Sequence, residues 1–201
     1  MKNSTACKRY IERHEGRRAE VYLDTKRHPT IGVGFNLDRS DAPIAIRKLR
    51  GVDYQELKHG EARLNKEQID TLFENDLKTA IQGAKKFYPG FDSLDPMRQI
   101  VLVDMSFNMG YEKLKEFKKL QAAMEAKDYK TAAQEMGNSH WAKQVGVRAD
   151  ANISAMREGH MPYKEIELKK ESHEEKTEEI KLQEESKSGR NMSPFPQRLS
   201  C

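Results

Sequence analysis

Residues 65–87 read NKEQIDTLFENDLKTAIQGAKKF, and this stretch limits what the chain can fold into more than any other. Ile69, Leu72, Phe73, Leu77, Ala80, Ile81 and Ala84 recur at helical spacing. Asn65 stands in front of them as an N-cap, and Gln68 is placed for the reciprocal capping-box contact. The pattern predicts a helix over about 65–86, well beyond the average of about 11 residues. A helix of that length is suited to bridging two lobes.

The flanks differ in character. On the N-terminal side, a helix is expected from Ser4 or Thr5 to about Glu15, with Tyr10 and Ile11 facing inward. VYLD and TIGVGF then read as short strands around a DTKRHP turn, with Gly32 and Gly34 keeping the backbone uncrowded. SDAPIAIRKLRG reads as a helix capped at Ser40 or Asp41, with Pro43 in its first turn and Gly51 as its stop.

On the C-terminal side, Asp95 and Pro96 open a helix, MRQIVLVDMSFNM, that is apolar on almost every side and ends at Gly110. Shorter helical patterns follow at KLKEFKKLQAAMEAKD, YKTAAQEMGN and 147–158. The fold class expected is α+β in two lobes. A small β-containing lobe covers about 12–64, and a larger all-helical lobe covers about 87–160, within a domain over 1–163. From Lys164 the segment to Cys201 is mixed in charge and nearly free of large apolar residues. It is expected to be a tail that cannot fold alone.

Charge divides along the same line. The chain carries +4, but residues 164–201 hold 8 basic and 9 acidic residues, which leaves +5 on the body. A basic body is drawn to polyanions such as nucleic acid, anionic lipid or bacterial wall polymers, although a well-solvated surface explains so modest an excess equally well. No apolar run approaches the roughly 20 residues of a membrane span, so no stable membrane insertion is expected. The N-terminus has no apolar core of a secretory signal, which implies synthesis in the cytoplasm. Cys7 and Cys201, near opposite ends, are no disulfide framework. No metal cluster, P-loop, dinucleotide fingerprint or Ser-His-Asp elbow occurs, so no cofactor is expected. Nucleic acid is excluded as a partner because no basic helix or set of stacking aromatics stands out.

Two acids and a hydroxyl focus the chemistry. Glu15 ends the first helix, Asp24 ends VYLD and Thr30 begins TIGVGF. Glycoside hydrolysis needs one carboxylic acid to protonate the leaving oxygen and a carboxylate to activate water or stabilise the developing charge. Glu15, behind an apolar-backed helix, suits the first task, and Asp24, in a polar turn, suits the second. Spacing alone is weak support in a chain with 32 acidic residues.

The surrounding residues make the case. HEG-x7-DTKRHPTIGVGFNL resembles the active-site segment of the phage-type lysozymes, the T4-like endolysins, in its E-G opening, its E-x8-D-x5-T spacing and its T-I-G-x-G close. The likeness continues through NKEQIDTLFENDL, SLDPMRQIVLVDMSFNMG and SHWAKQVGVRADANISAMREG, and covers about residues 8–160. It implies a lysozyme-like fold and a monomeric muramidase. The implied substrate is the β-1,4 bond between N-acetylmuramic acid and N-acetylglucosamine in peptidoglycan, reached on the cell wall after release.

It further implies that Glu15 is the general acid, with Asp24 and Thr30 orienting water for inversion, which calls for carboxyls roughly 6.5–9.5 Å apart. Retention of all three favours hydrolysis over transglycosylase chemistry and over an inert wall-binding module. Hydrolysis of a related glycan such as chitin stays open.

Other positions follow from the same resemblance. Arg148 falls where the family places an arginine that reaches the catalytic glutamate. Asp104, in an apolar helix where the family has an uncharged amide, needs a partner, and Arg148 is the candidate. Trp141 and Phe107 read first as core but lie at positions near the family's cleft. Asn108 beside them is a candidate for binding sugar or peptide.

Leu120 and Glu135 occupy positions that touch glycan in relatives, where small or amide side chains stand, and Asn36 replaces an apolar residue. Phe35 takes the place of a histidine ion-paired with an acid, and Asp76 at that acid's position is expected to be solvated or to find another partner. His14, next to Glu15, reads as a lone surface histidine.

Overall fold

Local signals set most of the element boundaries. The computed structural model describes residues 4–160, which lie in one compact unit reaching His160. The expectations for 164–201, Cys201 included, fall outside the described residues. Helix α1 spans Ser4–Glu15 and buries Cys7, Tyr10 and Ile11. An antiparallel meander follows, with β1 at Arg18–Leu23, β2 at Pro29–Gly32 and β3 at Phe35–Asn36. TIGVGF is therefore two strands and not one. Gly32 and Gly34 both take positive φ, 64° and 69°, and turn the chain back on itself between them.

The pairing places Tyr22 beside Thr30 and Thr30 beside Asn36, so these three side chains share one face of the sheet.

Two short helices come next, α2 at Ala42–Arg47 and α3 at Tyr54–His59. The first stops well before Gly51, and Asp41 at its N-cap makes no side-chain capping bond because Arg39 holds its carboxylate. The second was not anticipated. It is six residues long and depends on the Asp53 carboxylate accepting from the Gln55 and Glu56 amides.

The long helix α4 spans Lys66–Phe87 with the Asn65–Gln68 capping box in place. It packs against α5, Pro96–Met109, whose Asp95 cap accepts from the Met97 and Arg98 amides. The two helices meet closely at Gly83, where a Cβ would lie 2.3 Å from Ser106 Oγ. Between them sits a single 3₁₀ turn at Phe91–Ser93.

The remaining chain forms α6 (Tyr111–Leu114), α7 (Lys118–Glu125), α8 (Tyr129–Gly137), α9 (His140–Val145) and α10 (Val147–Glu158). Helix α10 packs on α8 and on α5, while α7 packs on α8. The result is a mostly helical α+β molecule with its small sheet near the N-terminus. Among the described residues no helix is long and apolar enough to cross a membrane.

Asp76 finds its replacement partner in Arg39. Nη1 and Nη2 of Arg39 donate to Asp76 Oδ2 and Oδ1 at 2.8 and 2.9 Å, while the guanidinium lies 4.5 Å from the Phe35 ring centre. Arg39 thus covers the phenyl ring with a planar cation and neutralises the acid at once. Arg39→Ala is expected to destabilise the fold by about 1–2 kcal/mol, since the pair is partly solvated. Urea unfolding of the variant measures this. A loss well below that range would show that water satisfies Asp76 in place of Arg39.

Candidate active site

The end of α1 delivers Glu15 toward the sheet, and two features fix it there. Arg148 Nη1, from the first turn of α10, donates to Glu15 Oε1. On the other side Gly34 sits so close that a Cβ on it would lie 2.8 Å from Glu15 Oε2. A side chain at this position of the β2–β3 turn would therefore push the Glu15 carboxyl aside. Gly34→Ala combines that clash with the cost of a positive φ, about 1–2 kcal/mol. Its expected result is a lower melting temperature and a fall in activity larger than the stability loss explains, because the displaced group is Glu15. Activity that merely tracks stability would count against this.

Glu15 retains 20% side-chain exposure, while Arg148 is 9% exposed and Asp104 fully buried. Arg148 Nε and Nη2 donate to Asp104 Oδ2 and Oδ1 at 3.0 and 2.7 Å, so the expected Asp104–Arg148 pair is present. Burial works to lower the Arg148 pKa, but Asp104 and then Glu15 overcome it and hold the guanidinium above its ordinary value.

Asp24 closes the β1–β2 turn. Its Oδ1 accepts from the Lys26 and His28 amides, each at 2.8 Å, and its backbone pairs with His28. These bonds aim the side chain and leave Oδ2 with no hydrogen bond among the described residues. Thr30 is 3% exposed on β2, with its hydroxyl donating to the His28 carbonyl at 3.1 Å. Asn36, its strand neighbour, accepts from the Asp38 amide at 2.7 Å.

Tyr22, across from Thr30, was not singled out by sequence. Its phenol is pushed up by burial first, then by the charge of Glu15, with a smaller push from Asp24, so it lies within electrostatic reach of both acids. Its position two residues before Asp24, with Leu23 between, is the one cue the sequence offers.

A second group of expected residues lines a cleft of about 900 Å³ on the helical side. Asn108, Leu120, Glu135 and Trp141 stand in its wall, joined by Lys113, Lys118 and Lys119. From the sheet side only Lys26, two residues after Asp24, contributes to it, and Glu15, Asp24 and Thr30 do not. Trp141 Nε1 donates to Asn108 Oδ1 at 3.0 Å, so the indole orients that amide. Leu120 is 1% exposed and belongs to the core as much as to the cleft. Phe107 is half-buried and stands edge-on to Phe73 at 5.8 Å, a packing contact outside the cleft wall.

His14 is no lone surface histidine. Its ring packs edge-on against Tyr10 at 4.8 Å, and burial, as the largest cause, holds its pKa below the ordinary value. Cys7 of the same helix is buried, its thiol pushed up to about 12 by burial and by Asp104, so it is un-ionised at neutral pH. Among the described residues no group of three or more His, Cys, Asp or Glu could hold a metal ion.

A carboxyl at a helix end, set against a small antiparallel sheet and followed by a long helix into a helical lobe, is the layout of a lysozyme-type glycoside hydrolase. Residues 12–157 match the phage lysozyme family, and the chain belongs to it. It is 30% identical over 162 residues to the probable T4-type lysozyme 2 of Dictyostelium discoideum, covering 77% of this chain and 95% of that one. The probable T4-type lysozyme 1 of the same organism is 28% identical over the same coverage. The pre-baseplate central spike protein Gp5 of Enterobacteria phage T4 is 29% identical over 168 residues, which is 79% of this chain but 29% of that protein.

Proposed function

We propose that this chain is a muramidase that hydrolyses the β-1,4 bond between N-acetylmuramic acid and N-acetylglucosamine in peptidoglycan. The observation that carries the reading is the setting of Glu15. One of its oxygens is held by Arg148 and the other faces the glycine turn that follows the strand bearing Thr30. Oε2, free of the guanidinium, is the oxygen suited to carry the proton.

In this reading Glu15 gives that proton to the glycosidic oxygen as the bond to the anomeric carbon breaks. Asp24 Oδ2 accepts a proton from the attacking water, which Thr30 helps to orient, and the new carbon–oxygen bond forms on the opposite face with inversion. The hydroxyl of Thr30 already donates to a backbone carbonyl, so its lone pairs are what it offers the water. Both carboxyls return to their starting states by proton exchange with solvent. The lysines of the neighbouring cleft suit an anionic wall polymer. The protein acts on the wall after release from the compartment in which it is made.

The test is incubation of the full chain with purified peptidoglycan, counting new reducing ends and reading the first-formed anomer by proton NMR. New reducing ends with inverted configuration are expected. Wall binding without cleavage would leave an inert module of the same fold. Cleavage of chitin oligomers with peptidoglycan untouched would move the substrate to that glycan.

A further inference from the structure

Hydrogen bonds link five side chains behind the end of α1, and the helix backbone between Tyr10 and Glu15 closes them into a ring. Arg148 bridges Glu15 and Asp104, as described above. Asn152 Nδ2 donates to Asp104 Oδ2 at 2.6 Å, and the Tyr10 hydroxyl donates to Asn152 Oδ1 at 2.7 Å. Tyr10 and Glu15 belong to α1, Arg148 and Asn152 to α10, and Asp104 to α5. The ring therefore ties three helices together and returns to the helix that presents the acid. Asp104 and Asn152 are both fully buried.

Charge makes the ring more than a brace. Asp104 accepts three N–H hydrogen bonds, the pattern of a carboxylate. A lone buried guanidinium against Glu15 would favour the ionised form of that carboxyl and so oppose its service as an acid. With Asp104 on the same guanidinium, the Arg148–Asp104 unit is neutral overall.

We propose that Asp104 is a positioning and charge-balancing residue for the acid step, letting Arg148 orient Glu15 without stripping its proton. The proposal rests on the reading of Glu15 as general acid. Among the described residues, the other charged or titratable groups in this neighbourhood include Arg13 and His14 on α1, Arg18 and Tyr22 on β1, and Asp24 after it. Among the described residues only Asp104 and Glu15 share the guanidinium through hydrogen bonds.

The acid step requires a protonated Glu15, so its ionisation sets the alkaline limb of the pH–rate profile. Asp104→Asn in the full chain is expected to move that limb down by about one pH unit. The acid limb and KM are expected to stay in place, which general loosening of the fold would not produce. Carbon-13 titration of the Glu15 carboxyl reads the same change without needing activity. The His14 ring gives a second reading, because Asp104 favours its charged form and its titration should fall further in the variant.

A folded Asp104→Asn protein with the Glu15 titration unmoved overturns the proposal. If wild type lacks activity but the Glu15 titration falls as expected, the muramidase reading fails and the charge balance stands. Should Asp104→Asn not fold, Asp104→Asn/Arg148→Gln removes both charges together. Glu15 titrating within about half a unit of wild type then supports the balance. A clear rise means that Arg148 acted unopposed, and the proposal falls.

Discussion

Glu15→Gln is expected to cut reducing-end release from peptidoglycan by about 10²–10⁴-fold, the usual contribution of a positioned general acid. The substitution is close to isosteric, and its amide oxygen can still accept from Arg148 Nη1, as Glu15 Oε1 does. What it loses is the proton on the other oxygen, against Gly34. Folding should change little, because Arg148 keeps Asp104 as its buried partner. The variant should therefore unfold at nearly the wild-type urea concentration and bind peptidoglycan, while releasing few reducing ends. A residual rate within a factor of ten of wild type would remove Glu15 from the acid role and direct attention to another group in the site.

Arg148→Met carries the largest expected loss of stability. It leaves the Asp104 carboxylate, fully buried in α5, with the Asn152 amide as its one side-chain hydrogen-bond donor among the described residues. Breaking a buried pair from one side costs about 3–5 kcal/mol, because the remaining charge stays uncompensated. For a domain of this size each kcal/mol lowers the melting temperature by roughly 2–4 °C. A drop of about 6–20 °C is therefore expected in a thermal melt.

Removing both charges in Arg148→Met/Asp104→Leu should recover much of that loss, since paired apolar replacements of buried ion pairs are often neutral. A double variant as unstable as the single one would show that the cost came from packing of the arginine stem. The methionine also releases Glu15 Oε1, so activity should fall along with stability.

The readable parts of the molecule are those with local causes. The Asn65 capping box, the Pro96 helix start with its Asp95 cap and the apolar faces of α4 and α5 depend on residues within one or two turns of each other. The TIGVGF segment misled because apolar content suggested one strand, while two glycines at positive φ make it a hairpin. Helix α3 escaped notice because six residues carry too little periodicity to register. In the site, Glu15, Asp24 and Thr30 stood out by spacing and resemblance. Tyr22 did not, since only strand pairing sets it opposite Thr30.

Arg39 illustrates the limit most directly. A missing partner for Asp76 could be foreseen, but a bidentate guanidinium 37 residues away, lying over Phe35, could not. The same holds for the ring of Tyr10, Asn152, Asp104, Arg148 and Glu15, whose members are spread over more than a hundred residues.

By itself the sequence determined the long helices α4 and α5, their caps and the residue types of the candidate site, because backbone periodicity, capping and side-chain chemistry act over a few residues. The tertiary structure decided which buried charges meet and which face of the sheet Glu15 meets. Those outcomes depend on helices packed from distant parts of the chain, where burial makes every unpaired charge costly and so selects one arrangement of partners.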